Sequence, residues 1–105
     1  MNLFDLPELA RLPVSSLTDE LVAVLVNTDS VRIERIVSTG QTSDWYDQAE
    51  TEFVALLEGS AQIEFTDGRV VVLAKGDTLV VAPHERHRVT QTSVNPPCIW
   101  LCIFY

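Results

Sequence analysis

A chain of 105 residues, 47% hydrophobic and 21% charged, with four glycines and five prolines, holds enough apolar material for one core and too little length for a second. Fifteen acidic residues against seven lysines and arginines give a formal charge of -8, which excludes an extended phosphate-binding surface and disfavours anionic membranes. The longest all-apolar run, Cys98–Tyr105, is eight residues, against the ~20 that a bilayer-spanning helix needs, so neither nucleic acid nor a membrane is an expected partner.

Residues 1–17 read as an arm, in which Leu3, Leu6 and Leu9 make a weak helical pattern that Pro7 and Pro13 interrupt. A short turn or helix lying over the domain is expected there. The opening residues show no basic stretch followed by an apolar one, so the cytoplasm is the expected compartment. Residues 18–105 read as a single β domain of eight short runs: Leu21–Val26, Val31–Ser38, Glu52–Leu57, Ala61–Thr66, Arg69–Leu73, Thr78–Val81, His87–Thr92 and Ile99–Tyr105. Asn27–Ser30, Glu58–Ser60, Asp67–Gly68 and Lys75–Asp77 supply turn chemistry between them. Ala61, Ile63 and Phe65 alternate with Gln62, Glu64 and Thr66, which predicts one face toward a core and one toward water. Cys98 and Cys102 lie four apart in one run, which sets their Cα atoms about 13 Å apart along a strand, too far for a disulfide. Two buried free thiols are expected instead. Many short strands, regular turns and almost no helix predict an all-β barrel or sandwich.

Two spacings make the fold more specific. Gly40, Tyr46, Gln48, Glu52 and Gly59 preserve the intervals of a motif that runs glycine, five residues, His-x-His, three residues, Glu, six residues, glycine. Gly76-Asp77, Pro83 and His87 match a second motif that begins with Gly-Asp and passes through a proline turn to a histidine, with Gln91 in the place of its closing asparagine. Pro83 sits one place late, and His84 stands near where a glycine is common. From Val31 to the C-terminus the chain thus resembles the cupin superfamily: small RmlC-like jelly-roll barrels, or double-stranded β-helices. Trp45–Gln48 and Arg86–Val89 are similar to segments of its short single-domain bacterial members.

In metal-binding cupins the two motif-one histidines, the glutamate and the motif-two histidine hold iron, manganese, nickel or zinc. The resemblance therefore implies that Tyr46, Gln48, Glu52 and His87 occupy the metal positions, although both motif-one histidines are replaced. A tyrosine would have to lose a proton of pKa near 10 to bind a metal well, and an amide oxygen is a neutral, hard ligand that suits few transition ions. Residues 46, 48 and 52 share parity, so on a continuous pleat they face one way, and the resemblance makes that way inward. Tyr46, Gln48, Glu52, His87 and Gln91 are the expected pocket. Such a cluster could be a fossil site closed by Glu52–His87 and Tyr46–Gln48 hydrogen bonds. It could equally be a small-molecule site in which Glu52 or His87 moves protons.

By alternation His87, Val89 and Gln91 share one face and Arg86, Arg88 and Thr90 the other. The two arginines are either a solvated face paired with carboxylates or anion contacts at the barrel mouth. Trp45 should face away from the cluster. The C-terminal run, apolar on both faces, must be covered on both sides by the second sheet and the arm or by another copy, and a homodimer is expected. The expected function is binding of a small polar or anionic molecule inside the barrel. A metal-dependent oxygenase or isomerase and a structural dimerisation module are the alternatives.

Overall fold

The computed structural model describes residues 1–11 and 17–105; Pro13, expected to interrupt the arm, lies outside them. All eight expected strands form, each within one residue of its expected bounds: β1 (Leu21–Asn27), β2 (Arg32–Ser38), β3 (Glu52–Glu58), β4 (Ser60–Phe65), β5 (Val70–Ala74), β6 (Thr78–Val81), β7 (His87–Thr92) and β8 (Cys98–Phe104). A short helix, α1 (Pro7–Arg11), precedes them and opens on a proline, whose fixed φ suits a first helical turn. Among the described residues no helix is long and apolar enough to cross a membrane.

The strands form two antiparallel sheets, one in the order β1-β2-β8-β3-β6 and one in the order β5-β4-β7. The last strand thus lies at the centre of the larger sheet. Residues directly opposite in an antiparallel ladder share a face, so the registers define rows across that sheet. The first row is Arg32, Phe104, Glu52 and Val81; the second is Glu34, Cys102, Val54 and Leu79; the third is Ile36, Trp100 and Leu56. This face looks toward the smaller sheet, where Val54, Leu56, Trp100, Cys102 and Phe104 join Ala61, Ile63, Phe65, Leu73 and Val81 in one buried cluster. Each large apolar side chain buried there stabilises the fold by about 1.5–3 kcal/mol.

The opposite face of β2 carries Arg35, which is 3% exposed and donates from Nη1 to the Asp5 carbonyl at 2.8 Å. That bond ties the arm down beside Leu101, the partner of Arg35 on β8. The C-terminal run is therefore covered on its inner face by the smaller sheet and bordered on its outer face by the arm. Both cysteines are free and buried, as their spacing predicts.

Two backbone features shape the site. In the β4–β7 ladder Ile63 faces Val89 but Gln62 faces Gln91, so Thr90 is an extra, bulged residue. In the turn before β7, His84 takes φ +59°, the left-handed region in which a glycine is easier.

Candidate functional site

Residues 41–48 belong to neither sheet, yet they run alongside β7. Tyr46 N donates to the His87 carbonyl at 2.7 Å, His87 N returns a bond to the Tyr46 carbonyl at 3.2 Å, and Ser43 N donates to Val89 O at 2.9 Å. The left-handed His84 adds a bond from its backbone N to the Gln48 carbonyl at 2.7 Å, while its Nδ1 meets Asp47 Oδ1 at 2.8 Å. The segment bends at Ala49–Glu50 before β3 begins, so the pleat is not continuous from 46 to 52. The inward parity survives the bend nonetheless: Tyr46, Gln48, Glu52 and His87 all line a cavity of about 360 Å³. Its apolar wall includes Ile36, Val54, Ile63, Val81, Val89, Trp100 and Phe104. A volume near 300 Å³ is at the small end for ligand sites.

Gln48 Nε2 donates to Glu52 Oε1 at 3.0 Å. His87 Nδ1 lies 2.9 Å from the Glu85 carbonyl. A carbonyl oxygen only accepts, so Nδ1 carries the proton, and in the neutral ring Nε2 presents its lone pair. Nε2 stands 3.7 Å from Glu52 Oε1, beyond hydrogen-bond distance. The pairings therefore differ from the expected Glu52–His87 and Tyr46–Gln48 bonds. Tyr46 stacks obliquely on His87, with ring centroids 5.6 Å apart, and is 43% exposed, so it forms part of the cavity rim. Burial pushes the His87 pKa down, but Glu52 and the Glu85 carbonyl outweigh it and hold the imidazole above its ordinary value. Burial, helped by Glu20 and Glu52, raises the Tyr46 phenol and keeps it protonated.

Gln91 is not part of this pocket. The bulge at Thr90 reverses the alternation of β7, so Val89 follows His87 inward while Gln91 is turned out and exposed. Arg86 and Arg88 do not line the cavity either. Arg86 is exposed, and Arg88 lies on the outer face, where Nη2 reaches Glu64 Oε2 at 3.2 Å and Cζ sits 4.5 Å over the Trp45 ring. Trp45 thus faces away from the cluster, as its parity predicts.

The cavity also takes charged residues that the motifs do not point to: Glu20, Arg32 and Glu34. Arg32 and Glu34 share parity with Ile36, so a decision on which face of β2 is inward would have found them. Arg32 is spanned by two carboxylates, Glu34 Oε2 at 3.2 Å from Nε and Glu50 Oε2 at 3.0 Å from Nη1, and stacks 4.1 Å over Phe104. Glu20 is held differently. Trp100 Nε1 donates to the buried Ser38 Oγ at 3.0 Å, and Ser38 Oγ donates its single proton to Glu20 Oε2 at 3.2 Å. Burial raises the Glu20 pKa, with Ser38 opposing and Glu34 reinforcing the rise. Cys102, deep among these carboxylates, is held far above an ordinary thiol by burial and by Glu52.

The donor set does not fit a transition ion. Glu52 and His87 are the two strong ligands; Gln48 turns its amide nitrogen, not its oxygen, toward Glu52, and Tyr46 keeps its proton. Among the described residues no three His, Cys, Asp or Glu side chains are arranged to hold a metal ion.

The Cupin_2 family, described as the cupin domain, matches residues 33–104. Among solved structures, a Ralstonia eutropha JMP134 protein provisionally assigned as a mannose-6-phosphate isomerase is 38% identical, with a TM-score of 0.84 over 99% of this chain and 94% of that one. A cupin superfamily protein of Desulfitobacterium hafniense DCB-2 aligns at 22% identity and TM-score 0.74 over 88% and 85% of the two chains. An RmlC-like cupin of Shewanella frigidimarina NCIMB 400 aligns at 20% and 0.69 over 79% and 72%. No curated protein matches the sequence. With two sheets in jelly-roll order and the motif residues brought to one cavity, the match settles the lineage: the chain belongs to the cupin domain family.

Proposed function

We propose that the barrel is a receptor for one small polar molecule, held without a resident transition metal. The observation that carries this reading is the cavity of about 360 Å³ in which Tyr46, Gln48, Glu52 and His87 converge against an apolar wall. The metal-dependent oxygenase or isomerase alternative would need Glu52 and His87 to hold the ion with little help, and a metal-free enzyme would use the same two groups as acid and base. A sugar-phosphate substrate, suggested by the Ralstonia relative, would meet three carboxylates and one guanidinium, Arg32, already spanned by Glu34 and Glu50. That chemistry is not the one this cavity favours.

Homodimerisation belongs to the same proposal. It draws support from β1, an edge strand whose Val22 and Val24 are 53% and 54% exposed on the inner face, an arrangement that invites pairing. A purely structural dimer module would leave the cavity without a role.

Elemental analysis of freshly purified protein, joined to melting curves with small polar probes, tests the reading. Substoichiometric iron, manganese, nickel and zinc together with a saturable rise in melting temperature are expected. Stoichiometric metal that disappears in Glu52→Ala and His87→Ala would overturn it in favour of the metalloenzyme.

A further inference from the structure

The charge inside the cavity narrows the class of molecule it can take. Five of its lining residues have side chains that can carry charge: Glu20, Glu34 and Glu52 against Arg32 and His87. Arg32 is already matched by Glu34 and by Glu50. That leaves Glu20 and Glu52 facing the cavity, and among the described residues no lysine or arginine lies within salt-bridge distance of either. Glu20 has only the Ser38 hydroxyl, and Glu52 has the Gln48 amide and a histidine 3.7 Å away. His87 is 5% exposed, and its Nε2, turned toward the cavity, makes no hydrogen bond among the described residues. Glu52, which is buried, and Glu20, which is half-buried, thus face one space as acceptors, and the buried His87 ring turns toward it a nitrogen that nothing in the fold hydrogen-bonds among the described residues. Beside them stand the aromatic residues Tyr46 and Trp100, which tolerate a cation at their faces.

We infer that the ligand is a small organic cation bearing an ammonium group, seated between Glu20 and Glu52 beside Tyr46 and Trp100; this rests on the reading of the cavity as a receptor. A protonated amine would donate to Glu20 and to Glu52, the acceptors that the fold leaves without a lysine or arginine partner among the described residues. A quaternary ammonium would keep the charge match and the aromatic contact. An anion would meet carboxylates on three strands or strand ends and find no free guanidinium. The upward displacement of the Glu20, Tyr46 and Cys102 pKa values, from burial first and then from neighbouring carboxylates, describes the same negative interior. The Trp100–Ser38–Glu20 chain gives the assignment a specific anchor, because it fixes one carboxylate oxygen and leaves the other available.

The test is titration of the intact protein, followed by melting temperature and tryptophan fluorescence, with choline and ethanolammonium chloride as cations, acetate, inorganic phosphate and mannose 6-phosphate as anions, and mannose as a neutral probe. Saturable responses to the ammonium probes are expected, weakened about tenfold or more in Glu20→Gln, which removes a charged acceptor at constant shape. The Glu20 side chain lies at the cavity and outside the buried core cluster, and urea unfolding of Glu20→Gln checks that the variant is folded. Responses to the anions or to mannose with none to the ammonium probes would overturn the inference and leave the receptor reading standing. Ammonium binding unchanged in Glu20→Gln would overturn the site assignment. Silence across all three classes would overturn the inference and the receptor reading together.

Discussion

Gly59 and Gly68 hold the same backbone conformation in opposite surroundings, and this makes them a matched pair. Gly59, between β3 and β4, has φ +87°, and Gly68, between β4 and β5, has φ +97°. An L side chain in this region costs about 1–2 kcal/mol in backbone strain, partly offset by the ~0.4–1 kcal/mol that alanine gains by restricting the unfolded chain. For Gly68→Ala that is the whole account, since nothing lies within 4 Å of an added Cβ. At Gly59 the same Cβ would sit 2.7 Å from Ser93 Oγ, 2.8 Å from the Pro97 carbonyl and 2.9 Å from Cys98 Cα. Ser93 Oγ is itself held by the Pro96 carbonyl at 2.6 Å, and the other two atoms are backbone at the start of β8, the central strand of the larger sheet. Overpacking of this kind adds a further ~1–3 kcal/mol. Gly68→Ala is therefore expected to cost about 1 kcal/mol or less and Gly59→Ala about 2–4 kcal/mol. For a domain of this size the gap amounts to roughly 8 °C in melting temperature. Urea denaturation followed by circular dichroism measures both against the parent chain. Equal costs for the two variants, or a larger cost at Gly68, would refute the argument that the close backbone approach, rather than φ, makes Gly59 obligatory.

The remaining predictions concern charge and thiols. Because the folded pKa of His87 is raised, its contribution to stability is fully present below the usual histidine value of about 6.5 and fades as pH rises through the folded value. The stability difference between the parent and His87→Gln, measured by urea unfolding across that range, should shrink as pH increases; a difference that is flat or grows would contradict it. Cys98 and Cys102 are 0% and 3% exposed, and Cys98 Sγ donates to the Ser60 carbonyl at 2.9 Å. Both thiols should resist a thiol reagent in the native protein and react together on unfolding; rapid labelling of either one without denaturant would show that β8 opens locally.

Strand existence was legible because the alternation of apolar and polar residues is a local property. Ala61, Ile63 and Phe65 face the core as their spacing requires. The inward set Tyr46, Gln48, Glu52 and His87 was legible through the motif spacing, although the bend at Ala49–Glu50 interrupts the pleat on which the parity argument leaned. Gln91 was misplaced because alternation assumes an unbroken ladder, and nothing in His87–Thr92 announces that Thr90 bulges. Of the two readings of Arg86 and Arg88, Arg88 takes the outer face paired with a carboxylate and Arg86 is exposed, and neither lines the cavity. A basic cluster in sequence is alternately inward and outward in a strand, and here His87 turns in while Arg88 is held outside by Glu64 and Trp45. The acidic character of the cavity was hidden by distance along the chain. Trp100 reaches Ser38 from 62 residues away and Ser38 reaches Glu20 from 18, so the link exists only once β8 has been laid against β2.

The bulge at Thr90 also divides β7 into two stretches with different tolerance to change. Before it, the tolerant positions fall on Arg88, with His87 and Val89 lining the cavity; after it, the rhythm shifts by one, so that Gln91 is free to vary while Thr92, buried and bonded to the Gln41 carbonyl at 2.7 Å, is not. A saturation scan along the strand would therefore show a phase slip at residue 90. The half that lines the cavity could be remodelled without disturbing the half beyond the bulge, which gives a chain of this size a way to reshape its cavity while keeping its fold.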